Sequence, residues 1–210
     1  MDKYMSVITN FGCHYSCPYC IVKNNNLHIP KTTLDGLNLL KKKIEDNKCN
    51  WVSISGGGDP LWNFENHIDW YKRFFEITEG INIELHTSMP NVDGVPYLFF
   101  ERVVYHLHDF EQLKTIKRNH SGQIVRVVFV VTERFTKDLI DKIATYCHDL
   151  DNIDELSFRQ MMDNHYEETD YCREYLKEGH QKRWWYIEQN DYNLYYCENE
   201  VYTEYRKIGE

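Results

Sequence analysis

The sequence predicts an α/β fold of parallel strands with helices packed against them. Three observations predict it. Short apolar runs rich in Val, Ile and aromatics alternate with amphipathic stretches about six times along the chain. The connections between runs are long enough to carry crossover helices, which parallel strands require. No internal repeat, low-complexity stretch or Pro/Gly-rich linker divides the 210 residues, a length that suits one domain. We therefore expect a single unit over residues 1–210, with a core at about 5–180 and a C-terminal extension at 181–210.

The elements follow in order. Residues 5–9 (MSVIT) read as the first strand and lead into a loop with three cysteines. Residues 32–47 read as a helix, with Thr32 or Thr33 as cap and Leu34, Leu37, Leu40 and Ile44 as its apolar stripe. Residues 51–55 (WVSIS) are a second strand, ending in a glycine-rich turn. Residues 65–78 form a helix turning Ile68, Tyr71 and Phe75 inward, and 81–87 (INIELHT) a third strand. Strand four is 103–107, followed by a short helix at 110–117. Residues 124–132 (IVRVVFVVT) are the most strand-like run, 136–150 a helix, 155–160 the sixth strand and 167–179 the last helix. The aromatic tail at 184–205 reads as a hairpin or small meander turning at Asn190-Asp191, a cover over the open end of the core. Such an alternation closes as an open doubly wound sheet or as a barrel, and in both ligands gather at the carboxyl ends of the strands.

A formal charge of −9 and a pI near 5.6 argue against a nucleic-acid polymer as partner, because phosphate binding needs a basic face. A small anion remains compatible with a local arginine pair. The N-terminal residues lack a basic stretch followed by an apolar core, and no run reaches the roughly 20 apolar residues of a membrane span. The expected location is the cytoplasm, with no membrane partner. There, clustered cysteines are more often metal ligands than disulfides. Of the seven cysteines, Cys49, Cys147, Cys172 and Cys197 are scattered. They read as small buried hydrophobes, and their spacing offers no second metal motif.

The other three stand within NFGCHYSCPYCIVK, residues 10–23, as Cys13-x3-Cys17-x2-Cys20. Structural zinc takes four protein ligands, commonly from paired C-x2-C units. No second unit exists here, although His14 or His28 could complete a Cys3His site. A 4Fe–4S cluster held by three thiolates would keep one iron for a substrate or cofactor. The next strand ends in SISGGGDPLW, residues 53–62, whose glycines let backbone approach closely. Strand alternation adds a third feature. Asn82, Glu84 and His86 share one face, His106 and His108 another pair, and Arg126 and Arg159 interrupt apolar strands. If helices cover the outside, these residues line a polar chamber inside. An isolated buried guanidinium is costly, so each arginine should meet a carboxylate ligand or an acid such as Glu84.

The cysteine spacing after strand one, with Gly57-Gly58-Asp59-Pro60 after strand two, resembles the radical S-adenosylmethionine (SAM) superfamily. The chain departs from the family pattern at Asp59, where glutamate is usual, and by the extra Gly56. The resemblance covers roughly residues 5–160 and implies a partial (β/α)6 barrel with a small β-rich C-terminal extension. It implies a 4Fe–4S cluster on Cys13, Cys17 and Cys20, with SAM bound at its open iron. It also implies reductive cleavage of SAM to a 5′-deoxyadenosyl radical that takes hydrogen from substrate, with flavodoxin or ferredoxin as electron source. Cofactor contacts are expected from Tyr19, Gly57, Gly58, Asp59, Pro60, Thr87, Ser88 and Arg126. Catalytic candidates are Glu84, His106, His108 and Arg159. The polar strand faces favour a small polar, nucleotide-like substrate. A protein or peptide substrate is the alternative, and a non-catalytic zinc or iron–sulfur module the third reading.

Overall fold

A computed structural model of the chain describes residues 2–182, 186–187 and 194–210. Its backbone is one sheet in the order β7-β6-β5-β4-β3-β2-β1-β8-β9. Strands β1 (Tyr4–Thr9), β2 (Trp51–Gly56), β3 (Asn82–Thr87), β4 (Arg102–Leu107), β5 (Ile124–Val131) and β6 (Glu155–Gln160) pair in parallel, each with the next. All six predicted strands are present. The helices are α1 (Ile21–Asn24), α2 (Leu40–Asn47), α3 (Ile68–Ile77), α4 (Phe110–Leu113), α5 (Lys137–His148) and α6 (Arg173–Lys182).

The two faces of the sheet differ in chemistry. Met5, Val7, Val52, Ile54, Leu85, Tyr105, Val127 and Phe158 point from one face into a core shared with Leu40, Phe74, Ile140 and Leu176 of the helices. Burying each such side chain contributes about 1.5–3 kcal/mol. The register sets polar residues in rows on the other face: Ser6 beside Ser53, Ser53 beside Glu84, Glu84 beside Arg102, and Arg126 beside Glu155.

The sheet is curled. β7 (Tyr186–Ile187) pairs with β6 on one side, and β8 (Tyr195–Cys197) pairs with β1 on the other. Eight residue steps connect Ile187 to Tyr195, about 27 Å at full extension. Seven strand spacings of a flat sheet would total about 34 Å. The two margins therefore bend toward each other, as a partial barrel requires, and the polar face is the inner one.

Several predicted elements shift for physical reasons. The helix expected at 32–47 begins only at Leu40, after a 3₁₀ turn over Asp35–Leu37. The Gly36 carbonyl accepts from Tyr196 Oη at 2.6 Å and from the Asn199 amide at 3.2 Å, and Leu39 N donates to Asn199 Oδ1. The backbone groups that would have continued the helix are taken by a hairpin 160 residues away. Leu34 consequently lies outside the stripe at 51% exposure. In α3 the buried residues are Trp70, Tyr71, Phe74 and Ile77, Phe75 packs partly buried against the core between Phe99 and Phe100, and Ile68 is exposed. The helix expected at 167–179 starts at Arg173, because Thr169 N donates to Met161 O and Glu168 bridges Met162.

In the tail, the expected turn at Asn190-Asp191 lies outside the described residues. The hairpin that is described joins β8 to β9 (Glu200–Tyr202) through Glu198 and Asn199, both at positive φ. It extends the sheet beyond β1, and the Tyr205 hydroxyl that follows it donates to Gly56 O at 2.9 Å.

Candidate functional site

The cysteine loop leaves the carboxyl end of β1 and the glycine loop leaves that of β2, and backbone contacts bind the two loops together. Gly57 N donates to Thr9 O at 2.8 Å, and Asp59 N to Gly12 O at 2.9 Å. A side chain at Gly58 would put its Cβ 2.1 Å from Gly12 O, and one at Gly57 would sit 2.6 Å from Ile29 Cγ2. Glycine is required here for close packing of chain on chain. Gly12 adopts φ +103°, with Trp62 packed where a Cβ would project.

Asp59 is the hub of this junction. It is 3% exposed and accepts four hydrogen bonds: Leu61 N at 3.0 Å, Thr87 Oγ1 at 2.8 Å, Ser88 N at 2.7 Å and Ser88 Oγ at 2.6 Å. The carboxylate thus ties the glycine loop to the end of β3. Pro60 O accepts from the buried Tyr71 hydroxyl at 2.7 Å, and Thr87 Oγ1 accepts from Met89 N at 3.0 Å. Thr87 and Ser88 stand beside the glycine loop.

A second set of contacts fixes the cysteine loop to the end of β4. Tyr19 Oη and His108 Nδ1 are 2.6 Å apart, and Cys17 Sγ lies 3.8 Å from His108 Nε2. Gln112 accepts from His108 N at 2.7 Å and donates to the Tyr15 hydroxyl. Cys20 caps α1, and its carbonyl accepts from Asn24 N. Cys13 is exposed, and Cys17 and Cys20 are partly buried. Burial, then the neighbouring Cys13 and Cys20 thiols, push the Cys17 thiol up to about 11. Burial lowers the His108 imidazole and raises the Tyr19 hydroxyl.

These thiols lie within electrostatic reach of one another. Among the described residues, however, no three His, Cys, Asp or Glu side chains gather tightly enough to hold one ion. His28 is exposed, and the Nδ1 of His14 is buried with no hydrogen-bond partner among the described residues. The loop does supply three thiols, Cys13, Cys17 and Cys20, the donor type that holds iron–sulfur clusters.

Below the loops, the inner face carries a connected polar network. Arg102 Nη1 donates to Glu84 Oε2 at 2.8 Å, and Glu84 Oε1 meets His86 Nε2 at 2.5 Å. His86 Nδ1 and His106 Nε2 are 2.9 Å apart. Arg126 Nε donates to Glu155 Oε2 at 2.6 Å, and Glu155 also faces Arg102 at 3.4 Å. Arg102 further lies 4.9 Å over the Trp51 ring. Arg159 sits on the same face by register with Val130, partly buried.

The structure therefore gathers Glu84, His86 and His106 in one network, and His108 with the cysteines in another. Among the described residues, the acid paired with Arg126 is Glu155. Glu84 instead answers Arg102, which sequence reasoning did not single out. The available signal was parity: Arg102 shares the inward alternation of His106, and Glu155 that of Arg159. Of the scattered cysteines, Cys49, Cys147 and Cys197 are buried, and burial raises the Cys147 and Cys197 thiols to about 12.

Two solved structures are similar to this chain over 90% of its length. One is Streptococcus suis SuiB bound to precursor peptide SuiA, at a TM-score of 0.62 and 14% identity. The other is SuiB bound to S-adenosylmethionine, at 0.61 and 14%. The chain spans about half the length of those SuiB chains, 49% and 48%. The likeness is one of fold: the chain is a radical-SAM-like partial barrel. No protein-family model matches the chain, and no curated protein matches it by sequence. The SuiA-bound structure corrects one expectation. The preference for a small-molecule partner over a peptide gives way, because a similar fold is seen there bound to a precursor peptide. No helix among the described residues is long and apolar enough to cross a membrane.

Proposed function

We propose that this chain is a radical SAM enzyme that modifies a peptide. The interlock of the two loops carries the reading: the Asp59 amide on the Gly12 carbonyl sets the three-cysteine loop and the glycine loop side by side at the strand ends. The SuiB likeness supports SAM as cofactor and a peptide as substrate.

In this reading Cys13, Cys17 and Cys20 would hold a 4Fe–4S cluster. When bound, the cluster and SAM together supply one-electron cleavage and hydrogen-atom abstraction. The residues of the chain position and exclude. Gly57 and Gly58 bring bare backbone against the cysteine loop. Asp59, with all four acceptor positions filled by the chain, holds Thr87 and Ser88 where SAM would lie. The Tyr19–His108 contact keeps the cysteine loop over the barrel mouth, and Arg126 and Arg159 belong to the inner wall.

Anaerobic reconstitution with iron and sulfide tests the reading. The expected product is a brown protein that consumes SAM under dithionite. Carbon-deuterated peptides should pass deuterium into 5′-deoxyadenosine, and carbon-deuterated nucleosides should not. A colourless protein holding one zinc would end the proposal.

A further inference from the structure

We infer that the segment following the β8–β9 hairpin is a strut for the SAM cradle, with Tyr205 as the positioning residue that holds the Gly56–Gly57 peptide in place. The inference rests on the reading of the glycine loop as the SAM site. It adds to that site a residue 149 positions away in the sequence.

One peptide group of the glycine loop is held at both of its polar atoms. Tyr205 Oη donates to Gly56 O at 2.9 Å, and Gly57 N donates to Thr9 O at 2.8 Å. The loop needs such restraint. Between two glycines a peptide plane can turn over with little steric resistance. Neither glycine can be exchanged for a stiffer residue, because a Cβ at Gly56 would stand 2.2 Å from Gly58 O and one at Gly57 2.6 Å from Ile29 Cγ2. The stiffness must therefore come from outside the loop. Strand β1 supplies it at the N–H, and Tyr205 supplies it at the carbonyl.

Tyr205 is held in its turn. It opens a 3₁₀ turn over Tyr205–Lys207, closed by Ile208 N on Tyr205 O at 3.2 Å. Glu204 braces that turn through Arg206 and Lys207, each at 2.6 Å. Ile208 is 2% exposed in a small apolar cluster with Ile8, Ile29 and Cys197, apart from the main core. Val22 and Leu27, on the way out of the cysteine loop, pack against the same cluster. Gly209 adopts φ +84°, and a Cβ there would stand 2.0 Å from His28 O. The Tyr205 ring meets Tyr195 edge-on at 5.5 Å between centroids. Burial, and then the Cys20 thiol, raise the Tyr205 hydroxyl, so it stays a protonated donor. One short segment thus reaches the glycine loop through a hydroxyl and the exit of the cysteine loop through Ile208 and Gly209.

Amide exchange on the metal-free protein tests the strut without requiring any enzyme activity. Tyr205→Phe keeps the ring and its packing and removes only the donor. The Gly57 N–H should then exchange about 2–10-fold faster, the loss of one hydrogen bond read as a local opening. The amides of Val127 and Leu156, in the middle of the sheet, should keep their rates. An unchanged Gly57 rate in the folded variant overturns the strut. Equal acceleration of all three amides also overturns it, because that is what a general loss of stability gives. If Tyr205→Phe does not fold, the wild-type protein decides. Its Tyr205 hydroxyl proton should exchange slowly enough to be seen by NMR, and a hydroxyl lost to rapid exchange with water overturns the strut. On reconstituted protein, Tyr205→Phe should bind SAM about 2–10-fold more weakly at unchanged iron content, read from the change that SAM makes in the electron paramagnetic resonance of the reduced cluster. Equal SAM affinity in variant and wild type overturns the role in the cradle. A wild-type protein that binds no SAM would sink the proposed function, and the Gly57 exchange rate would still decide whether Tyr205 holds the loop.

Discussion

Asp59 shows what one residue can organise. Its oxygens collect donors from its own loop and from the end of β3, so the shorter acid does not reach out of the junction but closes it. Asp59→Asn turns an amide toward one of those donors and should cost about 1–3 kcal/mol in urea unfolding, with SAM affinity falling further than iron content. Cys17→Ala removes one ligand position from a loop that is otherwise held by Tyr15, Tyr19 and His108. SAM cleavage should drop to background while circular dichroism and the melting temperature stay close to those of the parent. Retained cleavage would refute the ligand assignment. At this scale the cysteines and glycines were readable because their chemistry lies in spacing along the chain. Arg102 and Glu155 were not, because their meaning lies in which strands become neighbours. Only the register brings Arg102 beside Glu84 and Glu155 beside Arg126.

Among the elements, the two loops at the barrel mouth are tightest where Gly58 meets Gly12. Gly58→Ala forces a methyl to within 2.1 Å of a carbonyl that is itself held by Asp59 N. Backbone cannot yield there as a side chain could. The expected result is a folded protein that takes up less iron on reconstitution, measured by iron and sulfide analysis. Unchanged loading would show that the cysteine loop keeps its own shape. The strands were legible as elements because period-two patterning is local. The boundaries of α2 and α6 were not, since their backbone groups are diverted by partners distant in sequence. Tyr196 illustrates the first case: its hydroxyl holds the Gly36 carbonyl at 2.6 Å. Tyr196→Phe should cost about 0.5–1.5 kcal/mol, read from chemical unfolding.

For the whole molecule, the pattern of alternation predicted a parallel α/β sheet, and the polar and apolar strand faces predicted which side turns inward. What it could not supply was the use made of both margins by the tail, which depends on the curl of the finished sheet. Stability toward acid is a property at this scale too. Asp154 is opposed by its partial burial, but hydrogen bonds from Arg118 and from Val125 N hold its carboxyl below the ordinary value. A depressed acid contributes stability above its unfolded pKa and loses that contribution as pH falls through the folded one. Arg118→Gln should therefore lower the melting temperature at neutral pH, and the gap to wild type should narrow as the solution is acidified below the usual carboxylate range. The gap should also shrink in high salt, because the pair is partly exposed.

The placement of β8 next to β1 has a consequence for biosynthesis. Strand β1 is flanked on both sides only after residues near position 196 have followed it from the ribosome. Until then one edge of β1 lacks its neighbour, a long wait that invites pairing with other chains. Polypeptides stalled or cut short of that hairpin should be the species that chaperones retain, even when every cysteine and glycine of the mouth is already in place.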